Sequence, residues 1–506
     1  MTRSERPNVL VFMADQMCPL FLPFYGHPVV RAPHMAKAAA EGVVFESAYC
    51  AFPLCAPSRY VLMSGRLPSR IGAYDNAAEF QAEIPTFAHA LRNSGYRTVL
   101  SGKMHFCGAD QMHGFEERLT TDIYPSDFNW TPDWDAPLER KEWFHNMSSV
   151  LEAGPCVRTN QLDFDDEVVF AAERKIYDMA RDKDRRPFFM VVSMTHPHDP
   201  FAIPAEYWDR YSDEEIDLPR HVLPFEDADP HSQRIRTMCE TDATPPSLDQ
   251  VRAARRAYYG AISYVDDQFG RLRRALEATG VADDTIIVIA SDHGEMLGER
   301  GLWFKMTFFE GAIRIPLVIH APSRFAPARV AESVSAMDLL PTFLDITGTP
   351  PLNTPLEGRT LLPHLQGRPS HDEAVAEYLA EGSVGPIVMI RRGRYKFIHS
   401  LTEPDMLFDL AADPGEMVNL ADAPSARETL DEMRREAAER WDLPALKQQV
   451  LESQRRRRFV NSALATGMRT PWDYQPISDA SRKYVRSHMD LDHVEAMARF
   501  PRPRQG

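Results

Sequence analysis

The chain has 506 residues, of which 44% are hydrophobic and 26% charged, the composition of a folded protein that can build a large core or two to three domains. Its 57 basic and 73 acidic residues give a net charge of −16, which argues against a nucleic-acid partner because phosphate binding needs a basic surface. A small anionic substrate stays compatible with this charge, provided that the fold builds a local cationic pocket.

The N-terminal segment, MTRSERPNVLVFMADQ, carries an apolar run that is too short for a signal peptide and ends at Asp15. No stretch of the chain reaches the roughly 18 consecutive apolar residues of a membrane span. The six cysteines are irregularly spaced and include no C-x-x-C pair, so a disulfide framework is not expected. We therefore expect a cytoplasmic protein that makes no contact with a membrane.

Four short, apolar, β-branched runs are predicted as buried strands of a parallel sheet, at 9–13, 98–100, 188–194 and 285–290. Helical patterns such as 165–181 and 251–278 lie between them, an alternation typical of an α/β fold with helices on both faces of the sheet. Polar residues follow each run: Asp15 and Gln16, Lys103 and His105, His196 and His198, and Asp292 and His293. Because ligands collect at the carboxyl ends of parallel strands, we interpret the four ends as one shared site rather than as separate caps and turns.

The character of the sequence changes after residue 370. The string GPIVMIRRGRYKFIHS predicts two short antiparallel strands joined by a glycine turn, and MLFDLAADPGEMVNLAD predicts a strand followed by a turn-rich loop. From Trp441 we expect a helix, then the four arginines 455–458, then an irregular tail to Gly506. The predicted organisation is a main domain at 1–370, a small α+β domain at 371–440, and a helix with a tail at 441–506.

Cys55 has neighbours that a structural cysteine does not need. In FPLCAPSRYVLMSGRLPSR, Pro57 favours the first turn of a helix and puts Cys55 at the helix N-terminus, where free N–H groups stabilise an anion. Arg59 adds a fixed positive charge one turn later, and both effects lower the pKa of a thiol. A nucleophile and an ordinary half-buried cysteine both remain open at this point. A cysteine-phosphatase loop needs five residues between cysteine and arginine, whereas this chain has three.

The stretch from Cys55 to Arg66 resembles the signature of the sulfatase family, in which a formylglycine-generating enzyme oxidises the cysteine to formylglycine (3-oxoalanine). The resemblance implies an alkaline phosphatase-like α/β fold: a large mixed, mostly parallel sheet sandwiched by helices, with a smaller C-terminal antiparallel-sheet subdomain and an extended tail. Residues 1–370 then form the sulfatase catalytic domain. Cys55 becomes the nucleophile, and Arg59 is one of the groups that activate it.

Two carboxylates, an amide and an imidazole suit a hard divalent cation, and the chain supplies them as Asp15, Gln16, Asp292 and His293. Taken alone, either pair is compatible with a helix cap beside a solvated histidine. The string SDHGEMLGERG is similar to the family's second metal motif, so the resemblance implies one metal ion held by these four residues and Cys55. Many family members have an asparagine in that motif, and the variant here is closer to the phosphonate monoester hydrolase and choline sulfatase branch. Calcium is the metal that the family implies, with manganese or magnesium as alternatives.

The strings SGKMH, THPHDP and GLWFKMTFFEG also match family motifs and contain Lys103, His105, His198 and Lys305. The resemblance implies that both lysines stabilise charge on the sulfuryl oxygens and that His198 protonates the leaving oxygen. His105 would take a proton from the second hydroxyl of the aldehyde hydrate, and His196 is expected to be a spectator. Isolated lysines and histidines are more often solvated or structural, so this prediction depends on all four following the motif order.

Further strings resemble the choline sulfatase branch, among them YDNAAEF (74–80), DPHSQRI (229–235) and PWDYQP (471–476). The resemblance implies choline O-sulfate as the substrate, a homo-oligomer (dimer or tetramer), and a tail that reaches a neighbouring subunit's site. Aromatic faces and a carboxylate bind a quaternary ammonium. The candidate substrate-binding residues are Asn76 for the sulfate, Trp130, Trp134, Trp143, Phe144 and Glu381 for the ammonium, and Asp492 from the tail.

Other functions remain compatible with the sequence. A phosphonate or phosphate monoester hydrolase fits Gln16 and His293 equally well, and an arylsulfatase would share the nucleophile. An unmatured protein that binds a quaternary ammonium without doing chemistry would keep an intact thiol at Cys55. The tryptophans are equally compatible with packing in a core or a loop.

Overall fold

The computed structural model describes residues 6–137, 139–477, 479, 486 and 489–501. The strands in this part of the chain are β1 (Asn8–Asp15), β2 (Val43–Tyr49), β3 (Arg97–Gly102), β4 (Glu117–Arg118), β5 (Gly154–Cys156), β6 (Phe188–Pro197), β7 (Ala202–Pro204), β8 (Thr285–Ser291), β9 (Arg314–His320), β10 (Ala328–Ser335), β11 (Glu373–Tyr378), β12 (Ile387–Arg392), β13 (Tyr395–Ser400) and β14 (Met406–Asp409).

The α-helices of the same residues are α1 (Pro33–Glu41), α2 (Cys55–Ser64), α3 (Pro68–Ile71), α4 (Phe87–Asn93), α5 (Ser148–Leu151), α6 (Asn160–Arg181), α7 (Ala205–Trp208), α8 (Pro230–Met238), α9 (Leu248–Ala278), α10 (Glu310–Ile313), α11 (Leu339–Thr347), α12 (Leu362–Leu365), α13 (Arg427–Arg440), α14 (Leu443–Leu464) and α15 (Leu491–Ala498). Among the described helices, none combines the length and the apolar character that crossing a membrane requires.

Eight strands form one large sheet in the order β10-β2-β9-β8-β1-β6-β3-β4. Neighbouring strands run parallel except at β9, which pairs antiparallel with both β2 and β8. The four runs predicted as strands are β1, β3, β6 and β8, and they lie side by side in the order β8-β1-β6-β3. The predicted α/β fold with a mixed, mostly parallel sheet is therefore confirmed.

Helices cover both faces of this sheet. On one face, the ring of Phe12 in β1 packs on Phe269 of α9, with ring centroids 5.1 Å apart. On the other face, Phe189 of β6 contacts Phe87 of α4 and Phe343 of α11 at 5.0 and 5.1 Å. Because β1, β6 and β8 are buried on both faces, they carry continuous apolar runs, at 9–14, 188–192 and 286–290, instead of alternating with polar residues. The core therefore lies in two layers around the middle of the sheet.

A second, antiparallel sheet of four strands has the order β11-β12-β13-β14 and spans 373–409. Its central hairpin is the one predicted, and Gly393 makes the turn with φ = 54°, a left-handed conformation that favours glycine. A smaller parallel pair joins β5 to β7. The division of the chain into three domains at 370 and 440 stays a prediction.

The C-terminal segment differs from the expected helix and irregular tail. The four arginines 455–458 lie inside α14, which continues to Leu464, rather than after it. Arg455 and Arg458 form ion pairs with Asp135 and Asp133, which accounts for charged residues within the helix. The tail also contains α15, whose first turn is capped by Asp490, since its carboxylate accepts a hydrogen bond from the His493 amide. Residues 478, 480–485, 487–488 and 502–506 of the predicted tail lie outside the described residues.

Candidate active site

The four predicted strand ends meet at one edge of the large sheet. Ala14 of β1 lies beside Ser291 of β8, while Met13 of β1 and Gly102 of β3 both pair with Ser193 of β6. The residues that follow these positions are therefore level with one another. They form a cluster of buried polar side chains at the carboxyl ends of parallel strands, where α/β proteins place their ligands.

Cys55 lies against this cluster at the N-terminus of α2. Its side chain is buried, and its Sγ lies 3.2 Å from His293 Nε2 and 3.9 Å from Asp15 Oδ1. The Asn76 side-chain oxygen accepts a hydrogen bond of 2.9 Å from the Ala56 amide, which holds the first turn of the helix in place. The free N–H groups of that turn favour negative charge at position 55.

Paired charges hold the cluster together. Arg59 Nε donates to Asp292 Oδ2 at 2.9 Å, and a second guanidinium nitrogen lies 3.4 Å from Asp15 Oδ2. Lys103 Nζ donates to the same Asp15 oxygen. Arg59 also donates to the Ser193 hydroxyl at 2.8 Å. Because these charges are removed from water, each depends on its partners, and removing one would leave an uncompensated buried charge.

The electrostatic environment lowers the pKa of the Cys55 thiol. Burial raises the pKa of the thiol, but the positive charges of Lys103, Lys305 and His293 outweigh this effect and hold the pKa well below its usual value. Burial also raises the pKa of Asp15, as does Cys55, yet Lys103, His198 and Arg59 hold that pKa below its usual range. Negative charge at position 55 is therefore stabilised by several cations at once.

Four of the predicted metal ligands come together. One ligand atom from each of Asp15, Cys55, Asp292 and His293 lies within 4.8 Å of the others, and all four side chains are buried. Two carboxylates among these donors fit a hard divalent cation. Gln16 lies beside the group, but its amide oxygen accepts a 2.6 Å hydrogen bond from Lys305 Nζ. The Gln16 amide nitrogen donates to the Glu295 carboxylate, which fixes the orientation of the amide.

His105, His198 and Lys305 complete the predicted catalytic group. His198 Nδ1 donates to the Asp199 carbonyl at 2.7 Å, so its Nε2 is left to exchange protons, and that nitrogen lies 2.7 Å from Lys305 Nζ. Burial lowers the pKa of His105 and favours the neutral imidazole, whose ring lies within reach of the Cys55 side chain. His196 turns away from the cluster and bonds to Asp165 of α6 at 2.7 Å.

The predicted aromatic residues form a wall that starts at His105. The Trp130 ring lies 5.7 Å from the imidazole of His105 and stacks on Trp143 at 6.2 Å with an interplanar angle of 16°. Phe144 meets the Trp143 ring edge-on at 4.5 Å. Trp134 does not join this row: its indole N–H donates to the Ala380 carbonyl at 3.0 Å. The wall thus runs from His105 outward, and its first ring lies next to the buried polar cluster.

Glu381 lies close enough to the cluster for the charges of Lys305 and Cys55 to act on its carboxyl group. The side chain is buried, and Oε2 has no hydrogen-bond partner among the described residues. Gly382 lets the chain turn here, with φ = 75° and Ile235 Cδ1 only 2.3 Å from where a Cβ would stand. A buried, unpartnered carboxyl oxygen costs free energy unless it is protonated or meets a ligand, so Glu381 is a candidate for contact with a cationic group.

Asp492 is not brought to this cluster within its own chain. It is exposed on α15, and Phe500, just beyond that helix, packs on Tyr177 of α6 at 5.9 Å. Phe500 lines a cavity of about 600 Å³ together with Asn8 and Phe188, the first residues of β1 and β6. Phe500 therefore lies at the end of the sheet opposite to Cys55. A role of Asp492 in a substrate pocket remains a prediction, and that pocket would belong to a neighbouring subunit.

Four further residues that the motifs did not single out surround the site: Asp122, Tyr124, Asp199 and Glu295. Lys103 Nζ lies 4.2 Å from the centre of the Tyr124 ring, and Asp122 accepts hydrogen bonds from the backbone amides of Met104 and His105. Asp199 and Glu295 could have been found, because they follow His198 and His293 at strand ends. Asp122 and Tyr124 lie within the string 101–125, which resembles the choline sulfatase branch as a whole but does not single out these two residues.

Comparisons with known proteins agree with this geometry. The Sulfatase family model matches residues 7–349, and models described as "N-sulphoglucosamine sulphohydrolase, C-terminal" and "Choline sulfatase enzyme C terminal" match residues 298–441 and 448–500. The chain is 46% identical over 509 residues to a choline-sulfatase of Rhizobium meliloti (strain 1021), covering 99% of both chains. An arylsulfatase of Clostridium perfringens (strain 13 / Type A) is 26% identical, covering 85% of this chain and 93% of its own.

Solved structures share the fold. The phosphonate monoester hydrolase of Agrobacterium radiobacter superposes with a TM-score of 0.69 at 25% identity, covering 88% of this chain and 96% of that one. A putative sulfatase from Bacteroides thetaiotaomicron superposes with a TM-score of 0.68 at 23% identity, covering 86% and 92%. With the family model matching more than half of the chain and a full-length relative at 46% identity, this protein is a sulfuric ester hydrolase and belongs to the sulfatase family.

Proposed function

We propose that this protein hydrolyses choline O-sulfate to choline and sulfate. The observation that carries the proposal is the buried carboxylate of Glu381, whose Oε2 has no partner among the described residues although it lies near the Cys55 cluster. A quaternary ammonium has no N–H to donate, so it is held by charge and by aromatic faces. The wall of Trp130, Trp143 and Phe144 supplies such faces, and the R. meliloti choline-sulfatase is a full-length relative.

The nucleophile in this proposal is position 55. Oxidation of Cys55 to formylglycine, by a formylglycine-generating enzyme, would supply an aldehyde whose hydrate offers an oxygen nucleophile. The N-terminus of α2, Arg59 and Lys103 all stabilise negative charge there. Asn76 holds the Ala56 amide and serves the sulfate end of the substrate. The buried position of Cys55 excludes bulk water from the attacking group.

A divalent metal fits the same place. Asp15, Asp292, His293 and position 55 would hold it, with Gln16 adjoining, and we assign calcium with manganese or magnesium as alternatives. When bound, the ion supplies positive charge that polarises the sulfuryl group and lowers the pKa of an attacking hydroxyl. Lys103 pairs with the Asp15 carboxylate and Arg59 donates to Asp292 Oδ2, so both carboxylates have cationic partners beside the proposed ion.

In this proposal, His198 and His105 carry out the proton transfers. The Asp199 carbonyl holds His198 Nδ1–H, so Nε2 accepts a hydrogen bond from Lys305. In the ring protonated on both nitrogens, the Nε2 proton can pass to the leaving choline oxygen, which leaves the neutral imidazole. The neutral His105 imidazole lies within reach of the Cys55 side chain and is suited to accept a proton at position 55. Lys305 and Lys103 would stabilise the negative charge that grows on the sulfuryl oxygens.

The proposal includes a cytoplasmic location and an assembly of identical subunits, a dimer or a tetramer. The six free thiols support a reducing compartment. The exposed side chains of Phe459 and Met468 near the end of α14 and in the tail support a covered surface there. In such an assembly, Asp492 would contribute a second carboxylate to a neighbouring subunit's pocket.

The test is a comparison of three esters with the same enzyme preparation. We expect kcat/KM for choline O-sulfate to exceed that for a neutral aryl sulfate and for a phosphonate monoester by at least about 100-fold, because only the first carries the ammonium. A preference for the aryl sulfate would identify an arylsulfatase. A preference for the phosphonate would identify a phosphonate hydrolase, and either result would overturn the proposal.

Replacing Glu381 by glutamine should affect cationic substrates selectively. At a pH above about 8, where Glu381 is ionised, we expect kcat/KM for choline O-sulfate to fall about 100-fold, which corresponds to ~3 kcal/mol, because the variant loses the buried charge that faces the ammonium. The neutral aryl sulfate serves as the internal control and should change by less than about threefold. Steady-state kinetics on both esters make the measurement, and equal losses for the two would remove Glu381 from the pocket.

The same carboxyl group predicts a pH dependence. Burial raises the pKa of Glu381 to about 8; the Asp75 charge also raises it, whereas Lys305 lowers it. The group is therefore protonated below this pH and ionised above it, and the ammonium favours the ionised form. We expect KM for choline O-sulfate to fall about tenfold as the pH rises from about 7 to about 9. In Glu381→Gln this dependence should disappear; if it persists unchanged, another group is responsible.

A further inference from the structure

A buried ion pair joins the C-terminal helix to the loop that carries Asn76. The guanidinium group of Arg457 in α14 donates to both carboxylate oxygens of Asp75, at 2.6 and 2.7 Å. Asp75 is fully buried and Arg457 is 7% exposed. Two parallel hydrogen bonds from one guanidinium fix the orientation of both groups as well as their distance. The pair therefore sets the position of the 75–77 loop relative to α14.

This loop leads directly to the nucleophile. Asp75 Oδ1 also accepts the Ala77 amide at 3.0 Å, which turns the chain so that Asn76 points towards α2. The Asn76 oxygen then accepts the Ala56 amide at 2.9 Å, next to Cys55. A continuous series of hydrogen bonds thus runs from Arg457 to the first turn of the helix that presents the nucleophile.

The same face of α14 also holds the aromatic wall. Arg457 donates to the Thr131 hydroxyl at 3.3 Å, and Thr131 directly follows Trp130. Gln454, three residues earlier and on the same side of the helix, accepts the Trp134 amide at 2.9 Å. Trp134 in turn donates to Ala380, the residue before Glu381. One helix face therefore touches the supports of both the sulfate end and the ammonium end of the pocket.

We propose that Arg457 is a positioning residue: its paired hydrogen bonds to Asp75 hold Asn76 and the loop after Trp130 in the geometry that binds the ester. The inference rests on the proposed function for the identity of the ester, because the aromatic wall and Glu381 would contact only a cationic substrate. Without Arg457, the Asp75 carboxylate is left buried and unpaired, so the loop must move to reach water or another cation. Asn76 moves with it.

The test compares Arg457→Met with Arg456→Met, the matched control on the same helix. The Arg456 side chain is 73% exposed and lies 4.0 Å from Glu452, its ion-pair partner. We expect Arg457→Met to raise KM for choline O-sulfate at least about tenfold and to lower kcat/KM by up to about 100-fold, because a shift of one ångström at a reacting group has effects of this size. Arg456→Met should stay within about twofold of the wild type.

The KM value separates positioning from a purely structural role. If Arg457 only stabilises the fold, the variant loses active molecules, so kcat per total enzyme falls while KM of the surviving molecules stays unchanged. Arg457→Lys keeps the charge but not the paired geometry, and its KM should lie between those of the wild type and Arg457→Met. A KM for Arg457→Met within twofold of the wild-type value would overturn the proposal.

Asp75→Asn keeps the inference testable should Arg457→Met fail to fold. It removes the charge from the other end of the pair and can still accept the Ala77 amide, so it should raise KM as Arg457→Met does. The double variant should be no worse than the more damaged single variant, since both remove the same interaction. A wild-type KM for Asp75→Asn would overturn the proposal.

Failure of the proposed function gives a different pattern. Asn76 serves the sulfate end, which choline O-sulfate and a neutral aryl sulfate share. If the wild type prefers the aryl ester, the substrate assignment fails, but the Arg457 variants are then compared on that ester. An increased KM on it supports the positioning role, and an unchanged KM contradicts it.

Discussion

Replacing Cys55 by serine should lower kcat for sulfate ester hydrolysis by at least about 1,000-fold, because removing a nucleophile leaves only binding and charge stabilisation. A serine hydroxyl has nearly the size of the thiol, so the buried helix N-terminus of α2 should keep its structure. The loss is chemical: the hydroxyl group has no low pKa and does not provide the aldehyde that the proposed mechanism uses. Kinetics, with circular dichroism to confirm folding, make the measurement.

The control for this variant is Cys107→Ser. Cys107 is also buried, and its thiol donates to the carbonyl oxygens of Ala77 and Asp127, contacts that a serine hydroxyl can repeat. It lies outside the group of candidate metal ligands, so activity should stay within about threefold of the wild type. If Cys55→Ser keeps more than a tenth of the wild-type kcat, Cys55 is not the nucleophile.

Replacing Asp292 by asparagine is expected to have a comparably large effect. Its Oδ1 accepts the backbone amides of Gln16 and His293, and its Oδ2 accepts Arg59 Nε–H. Both carboxylate oxygens accept hydrogen bonds, so the NH₂ group of an asparagine would point at a hydrogen-bond donor and one of these bonds would be lost. The variant also removes a negative charge from the proposed metal site, so we expect metal content to fall and kcat/KM to drop at least about 100-fold.

Elemental analysis of the purified protein and kinetics with added metal test this prediction together. Chelation of the wild type should reproduce the loss, and adding the ion back should restore activity in the wild type only. Asp284→Asn, just before the other end of the same strand β8, is the control and should keep both metal and activity. Full activity of a metal-free wild type would contradict the metal assignment.

The strands at the centre of the sheet could be predicted because their polar residues come directly after apolar runs. Asp15 ends strand β1, while Lys103, His198 and Asp292 directly follow β3, β6 and β8. The rule that ligands collect at carboxyl ends predicted that these buried residues lie together. The neighbour order β8-β1-β6-β3 could not be read from the sequence, because pairing depends on which strand faces fit in three dimensions.

Other features depend on contacts between distant residues. The Arg457–Asp75 pair joins positions 382 apart, so no local pattern signals it. For the same reason, the sequence predicted the arginines 455–458 as a charged run after the helix. In the structure they lie within α14, where Arg455 and Arg458 form ion pairs with Asp135 and Asp133 of a distant acidic loop. Side-chain orientation also cannot be predicted from residue type. Gln16 is suited to bind a metal, but its amide is oriented by hydrogen bonds with Lys305 and Glu295.

The most direct test of the central claim uses the enzyme purified from its own host. Sulfate released from choline O-sulfate is measured in the same preparation in which mass spectrometry is applied to the peptide that spans residue 55. The account predicts catalytic release of sulfate, at a rate proportional to the fraction of chains that carry an aldehyde at position 55. An intact thiol in every chain, together with binding of choline O-sulfate and no release of sulfate, would contradict it.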